Sequence, residues 1–234
     1  MDLAGLSLTP KLGVMHSYGQ YCPISRASEI LAERWTLLIL RNLLLGCTRF
    51  NDIASGLPGI SRSLLVARLR TLEDKGVVVT SKIAGRRGKE YQLTKAGRAL
   101  WHVIRPLAAW GERWIELQPQ HTDPSFVLWA WTHVHLRREL LPKRRVVVEF
   151  DFPEQPLSYQ RFWMLIERGA AELCYDHPGF DVDVSVWARS QAFTEWHIGR
   201  IEWGDALSAG YIRVEGPRQL ARALPTWNAR ALPA

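Results

Sequence analysis

The chain has 234 residues, 47% of them hydrophobic and 23% charged, which is enough for one large or two ordinary domains with hydrophobic cores. No stretch approaches the roughly 18 uncharged apolar residues that a membrane span needs, and the N-terminal residues lack the layout of a signal peptide, so we expect a cytoplasmic protein with no membrane partner. The positive charge lies in the first half: 17 Lys and Arg stand against 9 Asp and Glu up to Gln118, and 13 against 14 from Pro119 onward. This asymmetry indicates a polyanionic partner for the first half.

The first predicted elements are three helices. Apolar residues at helical spacing predict one helix over residues 24–45, with Ser25 as its cap. A short helix closing at Gly56, a turn containing Pro58 and Gly59, and a longer helix with an apolar back and a basic front follow. This is the layout of a helix-turn-helix, although a pair of helices with a solvated basic face would give the same pattern.

A β-hairpin is predicted directly after the longer helix. The β-prone runs VVVTSKI and EYQLT flank Gly85 and Gly88, and the cations Arg86, Arg87 and Lys89 lie at the tip. A helix-turn-helix followed by a hairpin is a winged helix, in which the second helix enters the major groove and the wing reaches the DNA backbone or the minor groove.

A further helix is predicted over residues 94–117, opened by Thr94 and kinked by Pro106. Apolar residues recur along it at steps of three and four, namely Trp101, Ile104, Leu107, Trp110, Trp114 and Leu117. This stripe either packs on its own domain or forms a dimer seam that sets the spacing of DNA half-sites.

Residues 20–117 carry the motifs CPI, RW, ILRNLLLGCTRFNDI, LPGIS, LLVARLRTLEDKGVV and YQLTKAG, and together these resemble the HxlR family of winged-helix regulators, which is related to the MarR group. The resemblance implies a homodimer that binds a pseudo-palindromic operator as repressor or activator, with residues 61–74 as recognition helix and 78–93 as wing. The pair Glu33-Arg34 departs from the glycine-containing pair often found there. The expected contacts to double-stranded DNA are made by Arg49, Ser61, Arg62, Ser63, Arg68, Arg86, Arg87 and Lys89.

The second half is predicted to be a mainly antiparallel sheet with helices, so that the whole chain is α+β, with domains at 1–118 and 119–234. Residues 126–230 resemble the sterol-carrier-protein-like fold through AFTEWHIGRIEWGDALSAGYIRVEGPRQLARALPTW. That resemblance implies an apolar tunnel and an apolar small-molecule effector. Seven of the chain's 11 Trp lie here, and large aromatics fill cores as well as line cavities. The candidate ligand-binding residues are Phe162, Met164, Trp187, Phe193 and Trp196.

Sequence motifs for catalysis, cofactors and metals are missing: there is no nucleophile elbow, P-loop, dinucleotide fingerprint or Cys/His metal spacing, so neither an enzyme nor a cofactor is expected. Two alternatives stay open. One is a thiol-redox regulator that uses Cys22, because a helix N-terminus lowers a thiol pKa, and the other is an apolar-ligand carrier or enzyme with an incidental basic half.

Overall fold

The computed structural model describes residues 17–82 and 88–229. The first half contains a helical core with a two-stranded hairpin, and the second half contains a five-stranded sheet covered by helices. In chain order the first-half elements are α1 (Pro23–Leu31), α2 (Thr36–Leu44), α3 (Phe50–Ser55), α4 (Arg62–Asp74), β1 (Val78–Lys82), β2 (Lys89–Leu93), α5 (Lys95–Ala99) and α6 (Trp101–Trp114).

The elements of the second half begin after a short 3-10 helix, Pro119–His121, and end with another, Leu224–Trp227. They are α7 (Pro124–His133), β3 (Val146–Asp151), β4 (Arg161–Glu167), β5 (Ala170–Cys174), β6 (Val184–Ala188), α8 (Ser190–His197), α9 (Trp203–Ser208), β7 (Ile212–Glu215) and α10 (Arg218–Ala223). No helix in the described part of the chain is long and apolar enough to cross a membrane.

The prediction of one helix over residues 24–45 is wrong, because the chain breaks between α1 and α2. Trp35 has a φ of 78°, in the left-handed region, and no α-helix continues through such a residue. The apolar spacing runs across the break, so periodicity alone does not reveal it. Ser25 also lies inside α1, and the residue at the N-cap is Cys22.

The helix predicted over residues 94–117 is likewise two helices, α5 and α6, with Leu100 between them. Thr94 is confirmed as a helix cap, since its side chain accepts a hydrogen bond from the Gly97 N–H at 3.1 Å. Pro106 lies inside α6.

The helix-turn-helix and the two strands of the wing form as predicted. Ser61 caps α4 by accepting a hydrogen bond from the Leu64 N–H at 3.2 Å, and Leu65, Leu69 and Leu72 are buried behind the helix. Strands β1 and β2 pair antiparallel. The Tyr91 N–H donates to the Thr48 carbonyl at 2.8 Å, which ties the wing to the chain just before α3.

The large sheet has the strand order β5-β4-β3-β6-β7, and its pairs are antiparallel except for β3 with β6, which are parallel. A mainly antiparallel sheet is therefore found. Alternate residues point to opposite faces of a sheet. One face buries side chains of β3, β4 and β6 in a core that also includes residues of α7 and α8.

Helix α7 belongs to both halves. Its residues Val127, Leu128 and Trp131 are buried in the core of the large sheet, whereas Trp129 and Ala130 are buried in the core of the first half. A second contact between the halves is made by the Tyr175 hydroxyl, which donates to the Ser55 carbonyl at 3.3 Å. The two halves are thus packed together through a shared helix.

Candidate nucleic-acid interface

The N-terminal end of α4 presents polar side chains to solvent. Ser61, Arg62 and Ser63 are all exposed, and the first N–H groups of a helix carry partial positive charge. The backbone that carries these residues is held in place, because the buried leucines of α4 pack the helix against the first core. The arrangement offers a guanidinium and two hydroxyls to a phosphate or to base edges.

Arg62 is held in place by α3. Its guanidinium lies 5.0 Å from the centre of the Phe50 ring and donates to Asn51 Oδ1 at 3.2 Å. Stacking on an aromatic ring limits the motion of a long cationic side chain. Asn51 is exposed beside it and is not among the residues predicted from the sequence, because no local pattern shows that α3 and the start of α4 come together here.

Arg68 lies apart from this group. Its guanidinium donates to Glu33 Oε2 at 2.6 Å and to the Arg34 carbonyl at 3.2 Å, so it joins α4 to the break between α1 and α2. Six residues along an α-helix correspond to about 600°, which turns Arg68 well away from the side of Arg62. The structure therefore does not bring Arg68 together with the other α4 residues proposed for DNA contact.

The described part of the wing is basic at its outer end. Lys82 and Lys89 are both exposed and are opposite each other in the strand register. Like charges directly opposite each other are destabilising, and a bound anion would relieve the repulsion. Arg49 is exposed, and its backbone forms an isolated β-bridge with Glu90 of β2, so it lies beside the outer end of the described strands. Arg86 and Arg87 lie outside the described residues.

Helix α6 leaves a row of apolar side chains uncovered. Ile104 is buried in the first core, but Leu107, Trp110 and Trp114 are 45%, 54% and 64% exposed. These three residues follow one another at steps of three and four, which places them on one side of the helix. The α1 residue Ile24 is 76% exposed as well. The described residues of the single chain thus leave this side of α6 without a partner.

The five predicted ligand-binding residues are not all brought together. Phe162, Met164, Phe193 and Trp196 are at most 1% exposed and are packed side by side in the second core. Trp187 lies on the other face of the sheet, where Arg213 stacks 4.1 Å from its ring centre. Strand alternation separates it from Val186, which belongs to the core. Trp187 thus lies apart from the other four residues, and ligand binding by all five stays a prediction.

The cysteines differ in their surroundings. Cys22 lies at the N-cap of α1, and the nearby backbone N–H groups of Ser25 and Ile24 lower the pKa of its thiol. Burial raises the pKa of Cys47 to about 11 and also raises the pKa of Cys174. Cys22 therefore has the thiol most easily converted to a thiolate among the three.

The comparisons with known proteins identify relatives of the first half of the chain. The family model described as HxlR-like helix-turn-helix matches residues 30–119. The uncharacterized HTH-type transcriptional regulator YvaP of Bacillus subtilis is 37% identical over 110 residues, which are 46% of this chain and 95% of YvaP. Rv3095 of Mycobacterium tuberculosis, also an uncharacterized HTH-type regulator, is 43% identical over 39% of this chain and 58% of its own length.

The HTH-type transcriptional regulator YodB of Bacillus subtilis is 34% identical over 41% of this chain and 87% of YodB. The structure of its reduced form covers 42% of this chain and 97% of YodB, with 31% identity and a TM-score of 0.37. The sterol-carrier-like resemblance of the second half is not confirmed by these comparisons. Because the family model spans the helix-turn-helix and the wing, and YvaP matches over nearly its whole length, the chain belongs to the HxlR-like helix-turn-helix family of transcriptional regulators.

Proposed function

We propose that this protein is a homodimeric regulator that binds a double-stranded DNA operator with the N-terminal end of α4 and with its wing. The observation that carries the proposal is the exposed cluster of Ser61, Arg62 and Ser63 on a capped, firmly packed helix, next to a hairpin with cations at its outer end. A two-fold dimer would place two such helices about one helical turn of DNA apart, roughly 34 Å.

The test uses an operator that the purified protein selects from genomic DNA of its source. Arg62→Ala removes a contact near the bases, so we expect weaker binding by about 1–3 kcal/mol and relaxed sequence preference.

Two wing variants remove cations that neutralise phosphates: the single variant Lys89→Ala and the double variant Arg86→Ala with Arg87→Ala. We expect both to bind DNA more weakly across all sequences. The salt dependence should also become shallower by about one unit for each phosphate that is no longer neutralised. Arg138→Ala, an exposed residue of the second half, is the matched control. Unchanged affinity and salt slope in the α4 and wing variants would contradict the proposal.

The dimer is proposed to form through the uncovered side of α6. Burying a large aromatic side chain contributes about 1.5–3 kcal/mol, so the pair Trp110 and Trp114 would contribute strongly on each subunit. Replacing both with aspartate should give a monomer by sedimentation equilibrium and should reduce operator affinity, while the first core stays folded because neither residue belongs to it. A double variant that remained dimeric would show that the seam lies elsewhere.

We further propose that the second half senses a small-molecule effector. The supporting observation is that α7 is buried in both cores, because a change in the second core that moves α7 would reach the helix-turn-helix directly. A ligand shifts operator affinity only by as much as it prefers one arrangement over the other. An apolar effector in a sterol-carrier-like domain would have to separate Phe193 and Trp196 of α8 from Phe162 and Met164 of β4, since these side chains now fill the core. Measurement of the operator affinity at increasing concentrations of palmitate tests this idea.

A redox switch at Cys22 is the second candidate, favoured by the lowered pKa of that thiol. Diamide oxidises two thiols to a disulfide and is itself reduced to a hydrazine. It should therefore join the Cys22 thiols of two subunits and release the operator, and Cys22→Ser should abolish the release. Cys174→Ser is the matched control, because burial raises the pKa of that thiol. Release that persists in Cys22→Ser would remove Cys22 as the switch.

A further inference from the structure

Arg41 of α2 has an unusual environment. Its guanidinium lies 4.7 Å from the centre of the Phe126 ring and 5.5 Å from that of Trp129, both residues of α7. It donates to the Gly56 carbonyl at 2.8 Å and to Asn42 Oδ1 at 3.0 Å. The side chain therefore lies, partly buried, between the helix-turn-helix and the first helix of the second half.

The charge of Arg41 has no carboxylate beside it in the described part of the chain. Within residues 17–82 and 88–229, no Asp or Glu oxygen lies within 4.0 Å of the Arg41 guanidinium. Burial lowers the pKa of Arg41 to about 10, yet the group stays charged at neutral pH. Arg41 is partly buried, and its charge is partly shielded from water without a carboxylate partner. Its hydrogen bonds to two neutral oxygens leave other guanidinium N–H groups free to bind an anion.

A cavity of about 240 Å³ lies against this guanidinium. Its apolar walls come from Trp35 and Leu38 at one side, Leu57 and Pro58 of the turn before α4, and Phe126 of α7. The carboxylate of Asp123 also lines the cavity, but its Oδ1 accepts hydrogen bonds from the Ser125 N–H at 2.9 Å, the Ser125 hydroxyl at 2.7 Å and the Phe126 N–H at 3.4 Å, so it caps α7. The cavity thus combines an unpaired cation with aromatic and aliphatic surface.

The chemistry of this lining defines a ligand class. A guanidinium binds a carboxylate through two parallel hydrogen bonds, and flat apolar walls favour a ring. A second cavity, of about 630 Å³, lies between the end of α6 and the end of α8, and His121 lines both cavities. We infer that Arg41 and the surrounding cavity form a binding site for a small aromatic carboxylate at the junction between the helix-turn-helix and the second half.

The regulatory consequence rests on the proposed function. The cavity touches the turn that leads into α4 and the start of α7, so an acid bound there would favour one position of the recognition helix relative to the second half. Binding itself is independent of DNA. It can therefore be measured separately.

The experiment is calorimetric titration of the full-length protein with sodium benzoate, without DNA, at concentrations up to about 10 mM. We expect saturable binding of benzoate and none of benzamide, which has the same shape and no charge. Arg41→Gln should weaken binding at least tenfold, and Arg41→Lys should weaken it several-fold because lysine lacks the planar fork. Arg218→Gln, an exposed residue on α10, is the control and should bind as the parent protein does.

Leu38→Trp provides an independent test if Arg41→Gln fails to fold. Leu38 is 41% exposed at the cavity and carries no charge, so a larger side chain there should block benzoate while leaving Arg41 in place.

Absence of saturable binding, equal binding of benzamide, or unchanged affinity in both Arg41→Gln and Leu38→Trp would overturn the inference. Tighter binding of inorganic phosphate than of benzoate would overturn it as well, because it would show a site for anions without an apolar part. Operator binding by the ligand-free protein is measured in parallel, so that a failure of the proposed DNA function is distinguished from a failure of this site.

Discussion

Arg62 and Arg68 lie on the same helix and are equal candidates for DNA contact by sequence, but their neighbours give them different tasks. Arg62 stacks on Phe50 and remains exposed, whereas Arg68 pairs with Glu33 across the break between α1 and α2. The Glu33-Arg34 pair that departs from the family pattern is therefore the one that holds Arg68. Both features are visible in the sequence, but only the fold shows that they meet.

The Glu33–Arg68 pair is partly exposed, with 44% and 22% of the two side chains accessible, so its contribution to stability should be small. A double-mutant cycle with Glu33→Gln and Arg68→Gln is expected to give a coupling of about 0.2–1 kcal/mol in urea unfolding, reduced at high salt. A coupling indistinguishable from zero at low salt would mean that the 2.6 Å contact contributes nothing to the folded state.

His197 should make the protein sensitive to acid. It is buried, and its Nδ1 lies 2.8 Å from the Asn228 amide nitrogen, which donates to it. The ring of His135 lies 5.1 Å away. Burial, with the nearby His135, lowers the pKa of His197 to about 3. The folded state thus holds the ring neutral.

Because the pKa of His197 is lower in the folded than in the unfolded state, the stability it contributes is present above about pH 6.5 and is lost as the pH falls towards 3. Between pH 7 and pH 5 the free energy of unfolding should drop by about 2 kcal/mol from this group alone. His197→Gln, which keeps an oxygen for the Asn228 amide, should lose less over the same range. An exposed histidine variant, His102→Gln, is the control. The free energy of unfolding of the parent protein and the two variants is measured by urea unfolding at each pH. An equal pH dependence of this free energy in all three proteins would contradict this account.

At the scale of elements, the contact between α3 and α7 depends on the absence of a side chain at Gly56. A Cβ added there would lie 2.5 Å from Asn42 Nδ2 and 2.5 Å from Trp129 Cε2. Gly56 has a φ of −85°, so the clash is steric and does not involve backbone strain. Gly56→Ala should therefore destabilise the protein by about 1–3 kcal/mol in thermal or urea unfolding.

The matched test is the double variant Gly56→Ala with Trp129→Leu. Trp129→Leu removes the ring that the new methyl group would meet, so adding Gly56→Ala to it should cost clearly less than adding Gly56→Ala to the parent protein. Equal costs in the two backgrounds would show that the methyl group is accommodated by a movement elsewhere.

The elements that sequence could predict are those with local signals. The two hairpin strands and the capped helix α4 have local apolar patterns and bounding glycines, and they form where expected. The break at Trp35 has no such signal, because the apolar residues on both sides of it keep the spacing of a helix, and this spacing does not show that Trp35 has a left-handed backbone. The parallel pairing of β3 with β6 and the sharing of α7 depend on contacts between distant residues, which a local pattern does not contain.

The same distinction holds for the candidate sites. The basic face of α4 was predictable because its apolar back is a helical repeat, whereas Asn51 and Arg41 acquire their roles from neighbours far along the chain. The predicted ligand-binding residues were chosen for aromatic character, which a packed core requires as much as a cavity does. Four of the five chosen side chains are buried in the second core, and Trp187 is partly buried on the other face of the sheet.

At the scale of the whole molecule, the packing of α7 decides whether the halves behave as one unit. Domains that share a buried helix should unfold together, since neither core is complete without it. Trp129 supplies a fully buried indole to the first core, while Leu128 and Trp131 of the same helix belong to the second. We expect the parent protein to unfold in a single transition, with coincident circular dichroism and fluorescence curves and a calorimetric enthalpy equal to the van't Hoff enthalpy.

Trp129→Ala should break this coupling. The loss of a buried indole costs about 3–5 kcal/mol, and the cost falls on the first core and on its contact with α7, so the first half should unfold in an earlier, separate transition. Trp203→Ala is the matched control, because Trp203 packs against Trp196 inside the second half, with ring centres 4.6 Å apart, and lies away from the junction. It should lower the midpoint of the single transition without dividing it. Two transitions in the parent protein would mean that α7 does not couple the halves, and an effector bound by one half would then have no mechanical route to the recognition helix.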